Sequence, residues 1–393
     1  MSVPLYTAMV PKNPVSRRTF IEIAAALGST SLFANKGLAG EQEPAGREYD
    51  YESMAKLASN ENPYGPSRSV LKAMQDAMKY AHRYGYPDPG ILEAIADSHG
   101  VAPENILLGA GSTEILKVCD DVFLAQHKTL VGVDLTYESV YRFATNSKAD
   151  AIKVPITDDY RTDIPGIIRA VKNNYRDVGL VYICNPNNPT GRIVPKNEIK
   201  QLIDNVPEDV PVLIDEAYCH YADHPDYEEA IPYVQDQRNV IVTRTFSKMA
   251  GLAGMRLGYA VAREEWIQRM TPFASGISTI GGVNVLVRFA AIAALKEMGN
   301  APAMRKRSTD LRKKTVADLQ AWGYEVMPSD ANYFMVEIGE DVELMAFEFE
   351  KRGILVGRKF PPYDSWLRVS IGTADEMTRF VKAFKEILPQ VKG

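Results

Sequence analysis

Short apolar runs alternate with segments of helical periodicity between about residues 105 and 262. Each run is continuous in its apolar residues, which is typical of strands buried on both faces of a parallel sheet. The predicted strands are 106–108, 129–133, 152–154, 179–183, 212–214, 240–243 and 257–262, and the helices predicted between them include 112–123, 164–171 and 195–205. The alternation therefore predicts an α/β fold, in which helices cover both faces of a mostly parallel sheet.

A second pattern follows, which is first rich in helices and then mixed. Apolar residues recur at helical spacing over 284–298 and 301–322. Strands are predicted at 324–326, 333–337, 354–356 and 367–370, with helices at 342–352 and 374–388. We therefore predict a large domain over residues 86–295 and a smaller α+β domain over residues 296–393, preceded by an N-terminal arm over residues 46–85.

The first 45 residues carry a pattern of their own. Arg17 and Arg18 stand just before a mild apolar run of 12 residues at 23–34, and residues 37–51 are rich in Gly, Glu and Pro. Paired arginines before such a run resemble a twin-arginine export signal, and the run is too short to span a bilayer. We predict an export signal and linker over residues 1–45, and hence a periplasmic or exported protein. An amphipathic N-terminal helix or a disordered arm on a cytoplasmic protein is the alternative.

Charge and composition argue against several classes of protein. Lys and Arg number 45 against 50 Asp and Glu, and this net charge of −5 argues against a broadly basic nucleic-acid binder. The three cysteines have no CxxC spacing, so neither a disulfide framework nor a cysteine zinc site is expected. No run of about twenty apolar residues occurs, so no membrane insertion is expected. His220 and His224 have no evident third ligand, and we predict no metal site.

Three segments place polar residues directly after predicted strands, where ligands bind in α/β sheets. Residues 109–114 (GAGSTE) form a turn of small residues before a helix, which suits an anion and equally an ordinary capped turn. Residues 185–191 (NPNNPTG) hold Asn amides in a turn that two prolines make rigid. Residues 215–218 (DEAY) follow a buried strand, so Asp215 is either a ligand-binding carboxylate at the sheet edge or a helix cap.

A fourth segment, residues 245–258 (TFSKMAGLAGMRLG), places Lys248 between a strand and an apolar loop that contains glycine. Shielding from water favours the neutral, nucleophilic form of a lysine. Thr245, Ser247 and Arg256 lie close to Lys248 in the sequence and together suit a dianion. The fourth segment therefore predicts an anion-binding site with a nucleophilic lysine.

In this order the four segments resemble the fold type I pyridoxal-phosphate enzymes, and most closely the histidinol-phosphate aminotransferase branch of the class I/II aminotransferases. The other matching segments are 59–65 (SNENPYG), 84–88 (YGYPD), 136–137 (TY), 329–333 (SDANY) and 367–373 (LRVSIGT). The resemblance implies pyridoxal 5′-phosphate as cofactor. It also implies transfer of an amino group between an L-amino acid and a 2-oxo acid such as 2-oxoglutarate. A decarboxylase similar to threonine-phosphate decarboxylase is the alternative within the same fold.

The resemblance also implies a role for each polar residue of these segments. Lys248 forms a Schiff base with the cofactor and then moves protons as general base and acid, and Asp215 pairs with the pyridine nitrogen. Tyr218 and Asn188 hydrogen-bond the ring oxygen O3′, and Tyr137 stacks on the ring. The residues implied to hold the phosphate are Ala110, Gly111, Ser112, Thr245, Ser247 and Arg256.

Substrate binding and assembly are implied in the same way. Arg368 pairs with the substrate α-carboxylate, because a planar guanidinium matches that group, and Asn188 assists it. Tyr64 and Asn332 line the substrate pocket. Tyr86 reaches the cofactor phosphate of the neighbouring subunit, so a homodimer with shared active sites is expected.

One departure from the family pattern concerns the substrate. Relatives that bind a substrate phosphate often have Val-Arg directly after the Ile-Leu run of the small domain. Here residues 354–362 read ILVGRKFPP, so Arg358 is displaced by one position. We expect Arg358 to bind an acidic side chain or the distal carboxylate of 2-oxoglutarate. Aromatic or imidazole donors are therefore expected, with weaker use of histidinol phosphate.

Overall fold

The computed structural model describes residues 50–85, 87–124, 127–274 and 282–388. The strands are β1 (Ala55–Leu57), β2 (Ile106–Gly109), β3 (Thr129–Val133), β4 (Asp150–Val154), β5 (Val178–Cys184), β6 (Val212–Asp215), β7 (Val240–Thr245), β8 (Gly258–Ala262), β9 (Tyr333–Glu337), β10 (Ile354–Val356) and β11 (Trp366–Ser370). The helices are α1 (Arg68–Ala77), α2 (Ile91–His99), α3 (Ser112–Phe123), α4 (Ser139–Asn146), α5 (Ile164–Asn173), α6 (Lys196–Asn205), α7 (Ile231–Gln235), α8 (Glu264–Met270), α9 (Val285–Lys296), α10 (Ala301–Ala321), α11 (Val342–Glu350) and α12 (Ala374–Ile387). The predicted export signal and Tyr86 lie outside the described residues.

Strands β2 to β8 form one sheet, in the order β2-β8-β7-β6-β5-β3-β4. Neighbours from β7 to β4 in this order are parallel, whereas β8 is antiparallel to both β2 and β7. Every residue of β3, β5, β6 and β8 is buried, which requires cover on both faces. The predicted α/β architecture with a mostly parallel sheet is confirmed.

The carboxyl ends of β5, β6 and β7 lie side by side at one edge of this sheet. In the pairing register Cys184 lies opposite Asp215, and Asp215 lies opposite Thr243. The polar segments that follow these strands in the sequence therefore start at the same edge. Strand order also changes direction between β5 and β3, and α/β sheets bind ligands at such a switch point.

A second hydrophobic core forms around two small sheets. β9 pairs antiparallel with β11, and β1 pairs in parallel with β10. Leu57 of β1 is buried in one cluster with Phe349 of α11 and with Phe380 and Phe384 of α12. The chain near residue 55 is thus held by C-terminal elements. The sequence analysis did not predict β1, because three residues are too few to show a periodicity.

The strand predicted at 324–326 is wrong. Only Val326 pairs, in an isolated antiparallel bridge to Val336. Pro328 follows two residues later, and proline has no N–H with which to extend a ladder. The other predicted strands and helices are present, with their ends shifted by no more than two residues.

From Glu52 onward the described residues form one compact unit. Within the described ranges, no helix is both long enough and apolar enough to cross a membrane. The domain boundaries predicted after residues 85 and 295 stay predictions.

Candidate active site

Lys248 lies in the loop that follows β7 and is half-buried at the wall of a cavity. Its Nζ donates to the carbonyl of Ser59 at 2.8 Å and lies 5.5 Å from the ring centre of Tyr218. Burial, followed in size by the positive charge of Arg368, lowers the pKa of Lys248 to about 8. A substantial fraction of the amine is therefore neutral near pH 7 to 8, as a nucleophilic lysine requires.

Asp215 ends β6 and is only 2% exposed. Its Oδ1 accepts from the backbone N–H of Ala217 at 3.1 Å, and its Oδ2 accepts from the hydroxyl of Tyr182 at 3.1 Å. Burial raises the pKa of Asp215 to about 6, and these two hydrogen bonds oppose the rise. The carboxylate is thus held in one orientation, with its ionised form stabilised by both donors.

Tyr218, three residues after Asp215, is held by Asn60 of the N-terminal loop. Its hydroxyl accepts from Asn60 Nδ2 at 3.1 Å, and its ring packs edge-on against Tyr333 at 5.0 Å between ring centres. Burial raises the pKa of Tyr218 far above its usual range, so the hydroxyl stays protonated and can donate. That state suits a hydrogen bond to a phenolate-type oxygen.

A cluster of hydroxyl and guanidinium groups lies at the N-terminus of α3. Ser247 N donates to Thr245 Oγ1 at 3.0 Å, and Arg256 Nη1 contacts Ser247 Oγ at 3.4 Å. Gly111 has a φ of +82° just before Ser112, and a Cβ there would lie 2.2 Å from Arg256 Nη2. Glycine is therefore required for Arg256 to approach the helix N-terminus. The positive charge of Arg256 and the N-terminus of α3 favour an anion at this point, where Ala110 N–H already donates to the Glu114 carboxylate.

These groups line one cavity of about 220 Å³. The predicted residues that line it are Ser112, Tyr137, Asn188, Asp215, Tyr218, Thr245, Ser247, Lys248 and Arg256. The carbonyl of Ala110 contacts Arg256 Nη2 at 3.4 Å, next to Gly111. An amine, a buried carboxylate, a tyrosine hydroxyl and an anion cradle match the aldehyde, ring nitrogen, ring oxygen and phosphate of pyridoxal phosphate. The residues present therefore fit that cofactor.

Arg368 of β11 lies beside this cavity and is 8% exposed. Its Nη1 donates to Asn188 Oδ1 at 2.7 Å, and its Nη2 donates to the carbonyl of Ala58 at 2.6 Å. The structure thus brings Arg368 and Asn188 together, as the resemblance implies for binding an α-carboxylate. Their functional roles stay predictions.

Arg358 lies near Arg368, and the aromatic ring of Phe360 connects the two. The guanidinium carbon of Arg358 is 4.2 Å from the ring centre of Phe360, and that of Arg368 is 4.9 Å from it. Arg358 also pairs with Glu138 at 2.9 Å. The displacement by one position in the sequence therefore leaves Arg358 close to Arg368, although an anionic substrate has to compete with Glu138.

Tyr64 and Asn332 line a neighbouring cavity, and neither lines the one with Lys248. Asn332 Nδ2 donates to the carbonyl of Asn60 at 3.0 Å, so it supports the loop that carries the Lys248 acceptor Ser59. Because Tyr64 and Asn332 do not line the cavity with Lys248, their contact with substrate stays a prediction. Tyr86 lies outside the described residues.

Two residues that bear directly on the site were missed by sequence reasoning. Tyr182, 1% exposed within β5, donates to Asp215, and Asn60 donates to Tyr218. A hydroxyl inside an otherwise apolar, fully buried strand was the signal for Tyr182, because such a group needs a partner. Asn60 carried no comparable signal, since it lies in a loop far away in the sequence.

A buried ion network joins the strands that carry Asp215 and Lys248. Arg244 of β7 donates to Glu216 Oε2 at 2.6 and 3.0 Å and to Glu229 Oε2 at 2.8 Å. Glu216 follows Asp215 directly, and Arg244 stands four residues before Lys248. The network therefore fixes the ends of β6 and β7 relative to each other.

Replacing Tyr182 by Phe removes one of the two hydrogen-bond donors to Asp215. Because this donor stabilises the ionised carboxylate, its loss is expected to raise the pKa of Asp215 above about 6. Cofactor binding that uses the ionised carboxylate then fails at a pH roughly one unit higher than in the wild type. Absorbance titrations of the apoenzyme with pyridoxal phosphate, across the pH range around that pKa, measure the shift.

The matched control for this variant is Tyr141→Phe. Tyr141 is also a buried tyrosine, but its hydroxyl donates to the carbonyl of Val133. We expect its pH dependence to equal that of the wild type. An unshifted Tyr182→Phe curve contradicts the role assigned to Tyr182.

Comparison with known proteins agrees with this site. Residues 52–384 match the family model described as aminotransferase class I and II. Histidinol-phosphate aminotransferase from Moorella thermoacetica is 36% identical over 353 residues, covering 88% of each chain. That from Halalkalibacterium halodurans is 31% identical, covering 88% of this chain and 93% of its own.

A solved structure shows the same fold with the cofactor bound. It is histidinol-phosphate aminotransferase from Sinorhizobium meliloti in complex with pyridoxal-5′-phosphate, with a TM-score of 0.78 and 25% identity. The similarity covers 92% of this chain and 98% of that one. The chain belongs to the class I and II aminotransferase family and is a pyridoxal-phosphate-dependent transaminase.

Proposed function

We propose that this transaminase uses donors with an imidazole or aromatic side chain, histidinol phosphate among them, and 2-oxoglutarate as acceptor. The observation that supports this most directly is that the guanidinium carbons of Arg358 and Arg368 lie 4.2 and 4.9 Å from the ring centre of Phe360. Two guanidiniums this close together suit a substrate phosphate or carboxylate. Relatives named as histidinol-phosphate aminotransferases, at 31 to 36% identity, support the same substrate class.

When bound, pyridoxal phosphate supplies a carbonyl that condenses with amines and a ring that withdraws electrons from the substrate α-carbon. The amine of Lys248 is the candidate base for this reaction. With a pKa of about 8, its Nζ could accept a proton from the substrate α-carbon and deliver it to the cofactor carbon that carried the carbonyl. The carbonyl of Ser59, which accepts from Nζ at 2.8 Å, keeps the amine within the cavity.

Asp215 and Tyr218 set the proton positions on the ring. The ionised carboxylate of Asp215, oriented by Ala217 N–H and the Tyr182 hydroxyl, would hold a proton at the ring nitrogen of the bound cofactor. Tyr218, protonated and anchored by Asn60, donates to the ring oxygen. Both groups are buried, so water does not compete for these hydrogen bonds.

Arg368 orients the substrate. Its guanidinium, fixed by Asn188 and by the carbonyl of Ala58, presents a planar pair of donors to an anionic group beside Lys248. Arg358 provides the second cation once an anionic substrate displaces Glu138. Arg368 would thus bind every donor, whereas Arg358 would select among donors by their side chains.

Replacing Arg358 by Ala tests the substrate assignment. We expect kcat/KM for histidinol phosphate and for acidic substrates to fall about 10- to 100-fold, because a charge-assisted contact is lost. The value for L-phenylalanine is expected to change by less than about threefold. Steady-state kinetics with the three substrate types, together with Lys359→Ala as the neighbouring-charge control, measure this. Equal losses for all three substrates contradict the selective role of Arg358.

We also propose that the protein is a homodimer in which Tyr86 contacts the partner's cofactor phosphate. The support is the resemblance at residues 84–88 and the anion cradle around Arg256. Light scattering of the purified protein tests the dimer. A monomer with full activity contradicts it.

Export by the twin-arginine route is likewise our proposal for residues 1–45. Lys keeps the charge of Arg but not its guanidinium, so changing Arg17 and Arg18 to Lys is expected to leave an unprocessed, active enzyme in the cytoplasm. Arg47→Lys, at the start of the N-terminal arm, is the control and is expected to be exported normally. Cell fractionation with an immunoblot decides. Export of the double variant, or a wholly cytoplasmic wild type, contradicts the signal assignment.

A further inference from the structure

A second cavity, of about 230 Å³, lies next to the cofactor cavity and shares no lining residue with it. The loop at residues 62–67 and one side of α10 bound it, and Ile371 lines its far end. Met249, Met304 and Leu311 give it mostly apolar walls. We call it the α10 cavity.

The loop at residues 59–67 is the wall between the two cavities. Ser59 and Glu61 line the cofactor cavity, whereas residues 62–67 line the α10 cavity. Met249, which follows Lys248 directly, also lines the α10 cavity. A molecule in the α10 cavity therefore touches both the loop that holds the lysine amine and the residue after the lysine.

Two polar atoms in residues that line the α10 cavity have no hydrogen-bond partner among the described residues. Asn332 is 1% exposed, and although its nitrogen donates to Asn60, its Oδ1 is buried without a donor. The Oγ of Ser308, on α10, is buried and unpartnered as well. Both oxygens have almost no accessible surface, so a group in the cavity reaches them only after the side chain rotates. Native proteins rarely leave such atoms unpaired, so two of them in residues at one cavity point to a bound group with an O–H or N–H.

One cation lies where α10 meets the 62–67 loop. The guanidinium carbon of Arg307 lies 4.6 Å from the ring centre of Tyr64, and both residues line the cavity and are exposed. Within the described part of the chain, no carboxylate forms an ion pair with Arg307. A cation beside an apolar cavity complements an anionic group on a ligand whose body is apolar.

We propose that the α10 cavity is a second small-molecule site, distinct from the cofactor cavity, for an aromatic or aliphatic carboxylate that carries one hydroxyl or N–H. The apolar body fills the space among Met249, Met304 and Leu311. The carboxylate meets Arg307, and Asn332 Oδ1 accepts from the hydroxyl or N–H. Cavities of about 150 Å³ hold a benzene ring, so this volume accommodates a single-ring carboxylate.

The test measures binding of 3-(4-hydroxyphenyl)propionate to the holoenzyme by isothermal titration calorimetry. Arg368→Ala removes the carboxylate anchor of the active site, and Leu311→Trp fills the α10 cavity. Arg307→Gln removes the cation, and Lys314→Gln is its matched control, an exposed lysine on the same helix. 3-Phenylpropionate, which lacks the hydroxyl, is the matched ligand.

We expect binding to persist in Arg368→Ala and to disappear in Leu311→Trp. Arg307→Gln is expected to weaken it about fivefold and Lys314→Gln to leave it unchanged. 3-Phenylpropionate is expected to bind about fivefold more weakly. If the melting temperature shows that Leu311→Trp does not fold, the Arg307 and Lys314 variants decide. Absence of saturable binding to the wild type, loss of binding in Arg368→Ala, or equal effects of the two charge variants overturns the proposal.

Discussion

The Lys248→Ala protein is expected to lose transamination by about 10⁴-fold or more, while it still binds the cofactor. The loss is large because the Nζ both attaches the cofactor and moves the proton at the substrate α-carbon. Thr245, Ser247 and Arg256, which we propose to hold the phosphate, are connected by hydrogen bonds that do not involve the lysine, so binding is expected to persist. Steady-state rates with L-phenylalanine and the absorbance of the bound cofactor measure the two effects separately.

Lys72→Ala is the control for this variant. Lys72 is an exposed lysine on α1 that pairs with Asp76, so we expect wild-type rates and an unchanged cofactor spectrum. A Lys248→Ala protein that turns over at a rate near the wild type contradicts the assignment of the base. Loss of cofactor binding together with activity contradicts the independent phosphate cradle.

Asp215→Asn is expected to leave the fold intact and to lower kcat by about 10³-fold, or ~4 kcal/mol. Asn has nearly the shape of Asp but no charge, so the ring nitrogen loses the anion that keeps it protonated. Asn keeps one acceptor oxygen, so one of the two donors, Ala217 N–H or the Tyr182 hydroxyl, faces an NH₂ group instead. Single-turnover kinetics on cofactor-saturated protein isolate the effect from cofactor affinity.

The control for Asp215→Asn is Asp204→Asn, at a carboxylate that pairs with Lys200 and Arg238 at the surface. We expect its kcat to equal that of the wild type within about twofold. A reduction of less than tenfold in Asp215→Asn shows that the carboxylate is not the partner of the ring nitrogen.

Most of the residues predicted to bind the cofactor line one cavity, because they sit at strand ends. Asp215, Asn188 and Lys248 each lie within a few residues of a buried strand, and parallel strands bring their carboxyl ends to one edge. Local patterns therefore determined both the strands and the positions of the polar groups. The same reasoning predicted that the strands of the central sheet are mostly parallel. It did not predict their order, since apolar runs carry no information on which strand pairs with which.

Contacts between distant segments could not be predicted in this way. Tyr182 and Arg244 are polar residues inside apolar strands, and their partners Asp215 and Glu216 become neighbours only when the sheet is assembled. Asn60 reaches Tyr218 across 158 residues of sequence. No periodicity encodes such pairs.

The residues predicted to bind substrate do not all line one cavity, because loop residues have no regular side-chain direction. Tyr64 follows the motif in the sequence but lines the α10 cavity, and Asn332 turns one amide atom to the Asn60 carbonyl. Arg358, displaced by one position, nevertheless lies against Phe360 together with Arg368.

We expect Lys248 and Asp215 to serve amino-group transfer rather than loss of the substrate carboxylate. In the deciding half-reaction, the holoenzyme is mixed with L-phenylalanine and no acceptor, and both the 2-oxo acid and CO₂ are quantified. We expect about one 2-oxo acid per active site, no CO₂, and renewed turnover when 2-oxoglutarate is added. Release of CO₂ with the corresponding amine as product contradicts it.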